Sequence, residues 1–148
     1  MKHTHQLLLN AFVLVTTVAA GTPPAAFSDA LAARGLSSPT ALAFAPDGRL
    51  FICEQGGTVK VWKNGALNVA PFLTLGVNSA GERGLLGIAF DPNFAVNQYL
   101  YLYYTGSTAP LFNRVSRFTA NGDVVLSGSE LQIFRLPDLS SATNHNGG

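Results

Sequence analysis

Short apolar or alternating runs recur along the chain, each closed by residues that turn it. From residue 38 onward, "TALAFA" (40–45), "LFICEQ" (50–55), "TVKVWK" (58–63) and "PFLTL" (71–75) form one set, separated by "PDG", "GG" and "NG". A second set follows: "LLGIAF" (85–90), "YLYLYY" (99–104), "NRVSRFT" (113–119) and "LQIFRL" (131–136). Runs of this length, rich in Val, Ile, Tyr, Phe and Thr and bounded by Gly, Pro, Asn and Asp, read as β-strands. No segment sustains the 3.6-residue period of a long helix. "FSDALAARGL", Phe27 to Leu36, is predicted to form a turn or two of helix ahead of the strands.

The two sets correspond. "LAFAPDG" (Leu42 to Gly48) aligns with "IAFDPNF" (Ile88 to Phe94), with Phe44 over Phe90 and Pro46 over Pro92, a spacing of roughly 46 residues. Further on, "TVKVWKNG" resembles "RVSRFTANG", with Val59 over Val115 and Trp62 over Phe118. Asn64-Gly65 and Asn121-Gly122 are predicted hairpin turns, because Asn and Gly tolerate positive φ. The extra spacing in the second set falls in "TGSTAPLF", a longer loop between its second and third strands. Four antiparallel strands at this period predict an all-β fold, a partial β-propeller comprising about the first two blades and the start of the third. A β-sandwich is the competing reading. Six blades at this period need about 280 residues, so the chain is expected to be the N-terminal part of a longer protein.

Composition narrows the setting. Residues 1–20 read as a signal peptide: Lys2 is basic, Leu7 to Ala20 is largely apolar, and "VAA" offers small residues for cleavage before Gly21. The stretch is short for a bilayer, which takes about 20 residues. Export to the periplasm or medium is expected, with no membrane span after cleavage; an uncleaved anchor is the alternative. Residues 21–37 then form a lead-in, and 38–148 the propeller domain. With 11% charged residues and a net charge of +1, the chain carries no electrostatic footprint for nucleic acid or an anionic membrane. The single cysteine, Cys53 in "LFICEQ", excludes an internal disulfide and is expected as a buried, inert thiol.

Candidate chemistry follows from the repeat. In a propeller, the connector from an outer strand to the next inner strand ends at the mouth of the central channel. The connectors here are "GVNSAGERG" and "PDLSSATNHNGG", so Glu82 and His145 fall at equivalent points of adjacent blades. They are expected to converge near the axis. Gly84, Gly147 and Gly148 allow sharp turns and close approach of a flat ligand. Once the leader with His3 and His5 is set aside, His145 is the one remaining histidine, which excludes a multi-histidine metal site. The structural alternatives are His145 as a loop cap and Glu82 paired with Arg83 or Arg114.

"ERGLLGIAFDPNF", a strand of alternating tyrosines, "NRVSRF" and then "NHNGG" together resemble the soluble glucose/sorbosone dehydrogenase family, and "PTALAFAPDGRLFICEQGGTVKVW" looks like its first blade. The resemblance covers Ser38 to Gly148. It implies a six-bladed enzyme that uses pyrroloquinoline quinone (PQQ) and calcium to oxidise aldose sugars, with electrons passing to an external acceptor. His145 matches the catalytic histidine, a general base that takes the proton from the sugar C1 hydroxyl while the C1 hydride leaves. Glu82 and Asn144 match cofactor-binding positions. The first is glutamine in the best-known glucose dehydrogenases, and the second is aspartate in some members, so both polarity changes bear on substrate preference. Beside an anionic quinone, a charged Glu82 would need Arg83 or calcium to compensate it. The calcium ligands and the cations that grip the quinone belong to later blades, so no metal ligand is assigned here and the 148-residue chain alone is expected to be inactive. The alternative is a non-catalytic binding propeller similar to hedgehog-interacting proteins; a calcium-dependent lactonase is a third reading.

Overall fold

The computed structural model describes residues 23–146. The signal-peptide reading and the predicted roles of Gly147 and Gly148 lie outside the described residues. The described residues 23–30 lie in a separate unit and contain a turn closed by the Phe27 N–H on the Pro24 carbonyl at 3.0 Å.

From Leu31 onward the chain builds two consecutive antiparallel sheets. The first contains β1 (Pro39–Phe44), β2 (Leu50–Glu54), β3 (Thr58–Lys63), β4 (Ala66–Leu67) and β5 (Leu73–Thr74). The second contains β6 (Leu85–Phe90), β7 (Tyr99–Thr105), β8 (Phe112–Asn121), β9 (Val124–Val125) and β10 (Leu131–Asp138), with a four-residue helix α1 (Phe94–Asn97) between β6 and β7. In the first sheet the order is β1-β2-β3-β4, with β5 also paired to β3; in the second it is β6-β7-β8-β10, with β9 also paired to β8. These are two successive β-propeller blades.

The registers verify the repeat. Phe44 lies opposite Leu50 and Phe90 opposite Leu100. Leu50 lies opposite Trp62 and Leu100 opposite Phe118. Each inner strand shifts register near its start, between Pro39 and Ala41 and between Leu85 and Gly87. The repeat therefore extends to the placement of an irregularity, not merely to hydrophobic pattern.

Local expectations differ in four places. The predicted helical turns over Phe27–Leu36 do not form. Within the second unit, the reason lies in β3, whose side chains claim the backbone: the Trp62 indole donates to the Ala32 carbonyl and the Lys60 ammonium to the Gly35 carbonyl, both at 2.9 Å. Gly35 itself has φ +77°, incompatible with a helix interior. "DPNF" turns into α1 instead, because the Asp91 carboxylate accepts the Asn93 N–H and the Asn97 amide, both at 2.9 Å. "PFLTL" contributes only Leu73–Thr74 to the sheet. Asn64 and Gly65 make the first hairpin with φ of 52° and 82°, but in the second the turn moves on one residue to Gly122 and Asp123, since Asn121 still pairs with Val124.

The core lies between the blades. From the first sheet come Phe51, Cys53, Val59, Val61 and Phe72; from the second come Leu85, Leu100, Leu102, Tyr104, Phe118 and Ala120. Strand alternation sends one face of each sheet into this shared layer. Phe51 meets Phe72 and Phe90 edge-to-face, each at 5.0 Å between ring centroids. Polar ties add to the packing: the Thr40 hydroxyl donates to the Leu85 carbonyl at 2.6 Å, and the Val125 N–H to the Phe72 carbonyl at 3.0 Å. At the tip of the second hairpin, Asp123 pairs with Lys63 and with Arg49 of the first blade. The hydrogen bond from Lys63, with Arg49 close by, holds the Asp123 carboxyl below its ordinary pKa.

Cys53 is fully buried, and burial pushes its thiol up to about 12. The thiolate, the reactive form, is therefore scarce at ordinary pH. We expect Cys53 to resist a disulfide-exchange reagent at pH 8 in the folded protein and to react stoichiometrically after denaturation. Labelling in native buffer at the denatured rate would contradict the buried placement.

Candidate active site

The connector after β5 ends in Gly81-Glu82-Arg83-Gly84, and the one after β10 reaches Thr143-Asn144-His145-Asn146. The structure brings them together. The Glu82 N–H donates to the Thr143 carbonyl at 2.8 Å, and the His145 N–H donates to the Glu82 carboxylate at 2.6 Å. The convergence expected from the repeat is thus observed between Glu82 and His145. Its form is specific: the carboxylate takes the backbone N–H of His145 and leaves the imidazole exposed. His145 has φ +56°, a left-handed conformation in which histidine is several-fold enriched among non-glycine residues. Asn144 is exposed beside it, while Asn146 is buried and donates its amide to the Asn144 carbonyl at 3.0 Å.

Glycine makes the approach possible. A Cβ at Gly81 (φ +62°) would lie 2.7 Å from the Thr143 carbonyl oxygen. At Gly84 (φ +136°) a Cβ would collide with the Gln55 carbonyl oxygen. Gln55, which follows β2, holds the same turn with its side chain: Nε2 donates to the Gly81 and Arg83 carbonyls at 2.7 and 2.9 Å, and its own carbonyl accepts the Leu85 N–H at 3.0 Å. The loop after β2 therefore fixes the first connector, which in turn fixes the second. Reading the connectors alone missed Gln55; the "GG" after it marked a turn but not a contact.

Arg83 departs from expectation. It is not paired with Glu82 among the described residues. Its side chain is buried, 5% exposed, and Nη2 donates to the Ser140 and Ala142 carbonyls at 2.8 and 2.6 Å. It cannot serve there as the counter-charge for an anionic quinone. This junction thus presents an exposed imidazole and an exposed amide, while Arg83, the cation of the turn, is spent on main-chain carbonyls. Among the described residues there is also no group of three or more His, Cys, Asp or Glu able to hold a metal ion, and no helix is long and apolar enough to cross a membrane.

Comparison with known proteins places this architecture. The glucose/sorbosone dehydrogenase family description matches residues 36–148. Among solved structures, a glucose dehydrogenase-type oxidoreductase from Thermus thermophilus is 36% identical with TM-score 0.61, covering 68% of this chain and 30% of that one. The PQQ-bound aldose sugar dehydrogenase of Streptomyces coelicolor is 30% identical with TM-score 0.59, covering 70% of this chain and 32% of that one. The hedgehog-interacting protein of Mus musculus is 38% identical over 80 residues, 48% of this chain and 11% of that protein. The chain therefore spans about a third of these solved structures and about a tenth of that curated relative. The matched span takes in both blades and both connectors, and on that ground the chain belongs to the glucose/sorbosone dehydrogenase family.

Proposed function

We propose that this chain is the N-terminal part of an exported quinoprotein that oxidises the C1 hydroxyl of aldose sugars to lactones, and that it contributes the general base. The observation that carries the reading is the exposed imidazole of His145, with the Glu82 carboxylate holding its backbone N–H at 2.6 Å, in a chain whose family match runs from 36 to 148. PQQ, when bound with calcium, supplies the electrophilic carbonyl carbon that receives a hydride. The neutral imidazole accepts the proton of the C1 hydroxyl as the C1–H electron pair leaves, so the sugar loses a hydride and a proton and becomes the lactone. Asn144, exposed next to the base, offers an amide to cofactor or sugar. Glu82 orients the base through the backbone, in addition to facing the cofactor edge. Electrons then pass to an external acceptor.

The experiment is reconstitution. The complete polypeptide, supplied with PQQ, calcium, glucose and a dye acceptor, is expected to reduce the dye, and to stop when PQQ is omitted or calcium chelated. The 148-residue chain by itself is expected to give no turnover, because the family resemblance assigns the remaining groups that hold the cofactor to later blades. Dye reduction by the short chain would overturn that division of the site. A complete polypeptide indifferent to PQQ would overturn the quinoprotein reading. The 38% identity to hedgehog-interacting protein would then favour a binding module, detected as ligand capture without turnover.

A further inference from the structure

We propose that Arg83 is a positioning residue for His145. Its buried guanidinium, acting with the neighbouring Glu82, fixes the backbone of residues 140–146 so that the imidazole is presented in one orientation. The proposal rests on the reading of His145 as the base.

The 140–146 segment lies beyond β10 and makes no strand pairing of its own. Its placement relies on the dipeptide Glu82-Arg83. Arg83 Nη2 holds the Ser140 and Ala142 carbonyls at 2.8 and 2.6 Å. The Glu82 N–H holds the Thr143 carbonyl at 2.8 Å, and the Glu82 carboxylate accepts the His145 N–H at 2.6 Å. Two adjacent residues thus make four hydrogen bonds, spread over six residues of the opposing segment. A guanidinium suits the inner end of this clamp: it stays charged, is weakly hydrated for a cation, and donates along fixed directions. The clamp is anchored in turn, because Gln55 Nε2 holds the Arg83 carbonyl at 2.9 Å. Arg83 is itself almost inaccessible to solvent, so it acts on chemistry through His145 rather than by touching a sugar.

The test compares Arg83→Met, which keeps a buried stem and removes the donors, with Arg83→Lys, whose ammonium still reaches toward the two carbonyls. In the PQQ- and calcium-loaded complete polypeptide, Arg83→Met is expected to lower kcat about 10- to 100-fold through misplacement of the base, with KM for the aldose unchanged. Arg83→Lys is expected to recover part of the loss. Hydrogen exchange on the cofactor-free complete polypeptide supplies a readout independent of turnover. Amides of 140–146 should exchange about tenfold faster or more in Arg83→Met, while those of β2 and β7 stay protected. Should Arg83→Met not fold, Glu82→Ala, an exposed substitution that removes the acceptor of the His145 N–H, is expected to give the same exchange signature at His145. Unchanged exchange over 140–146, or a raised KM at unchanged kcat, would overturn the clamp. If instead His145→Gln kept full activity while the exchange signature stood, the base assignment would fail and the clamp would survive.

Discussion

Replacing His145 with glutamine is expected to lower kcat of the reconstituted complete polypeptide about 10²- to 10⁴-fold, the range that a positioned general base contributes. Glutamine retains the backbone N–H that meets the Glu82 carboxylate at 2.6 Å, so the loop stays pinned and the loss reports on the imidazole. The base acts as the proton moves, in the transition state, so kcat and kcat/KM should fall by equal factors with KM steady. Steady-state kinetics with glucose and a dye acceptor give both numbers. A variant with near-native kcat would leave His145 as a loop cap. A variant whose KM alone rises would make it a binding group.

The second large effect concerns folding. Phe51 is completely buried, lies edge-to-face with Phe72 and Phe90 at 5.0 Å, and carries the Arg49 guanidinium 5.1 Å from its ring centroid. It is the point where both sheets meet. Phe51→Ala is expected to cost about 3–5 kcal/mol, transfer and cavity effects together. Total stabilities of about 5–15 kcal/mol are usual, so the variant should unfold at a much lower denaturant midpoint. Val69→Ala serves as the control: Val69 is fully exposed in the loop after β4, and its change should stay within about 0.5 kcal/mol. Urea titration followed by tryptophan fluorescence distinguishes them, since Trp62 is the one indole. An equal response of the two variants would show that the layer between the sheets is not the stabilising core.

The blades are legible because strand alternation and turn chemistry are written locally. Phe44 over Phe90 and Trp62 over Phe118 are visible in the sequence and reappear as equivalent registers. The meeting of Glu82 with His145 is legible for the same reason, once the connectors are aligned. What the carboxylate does there is not. Its bond to a backbone N–H depends on His145 entering the left-handed region, which no pattern of residue types announces. Arg83 reads as a counter-charge because its neighbour is acidic, yet its guanidinium turns inward to carbonyls 57 and 59 positions away. The lead-in reads as helical from composition alone; Trp62 and Lys60 override that preference from β3. Contacts across long stretches of chain decide these cases, and local propensity does not encode them.

The tight passage of Gly81 and Gly84 against Thr143 and Gln55 divides the junction of the two connectors into two regimes of sequence drift. Positions 81 and 84 admit almost no replacement, since any side chain would strike main-chain oxygen. Asn144 and the ring of His145 face solvent and touch no part of the shared core. Position 144 can therefore vary at little risk to the sheets beneath, while the two glycines stay frozen.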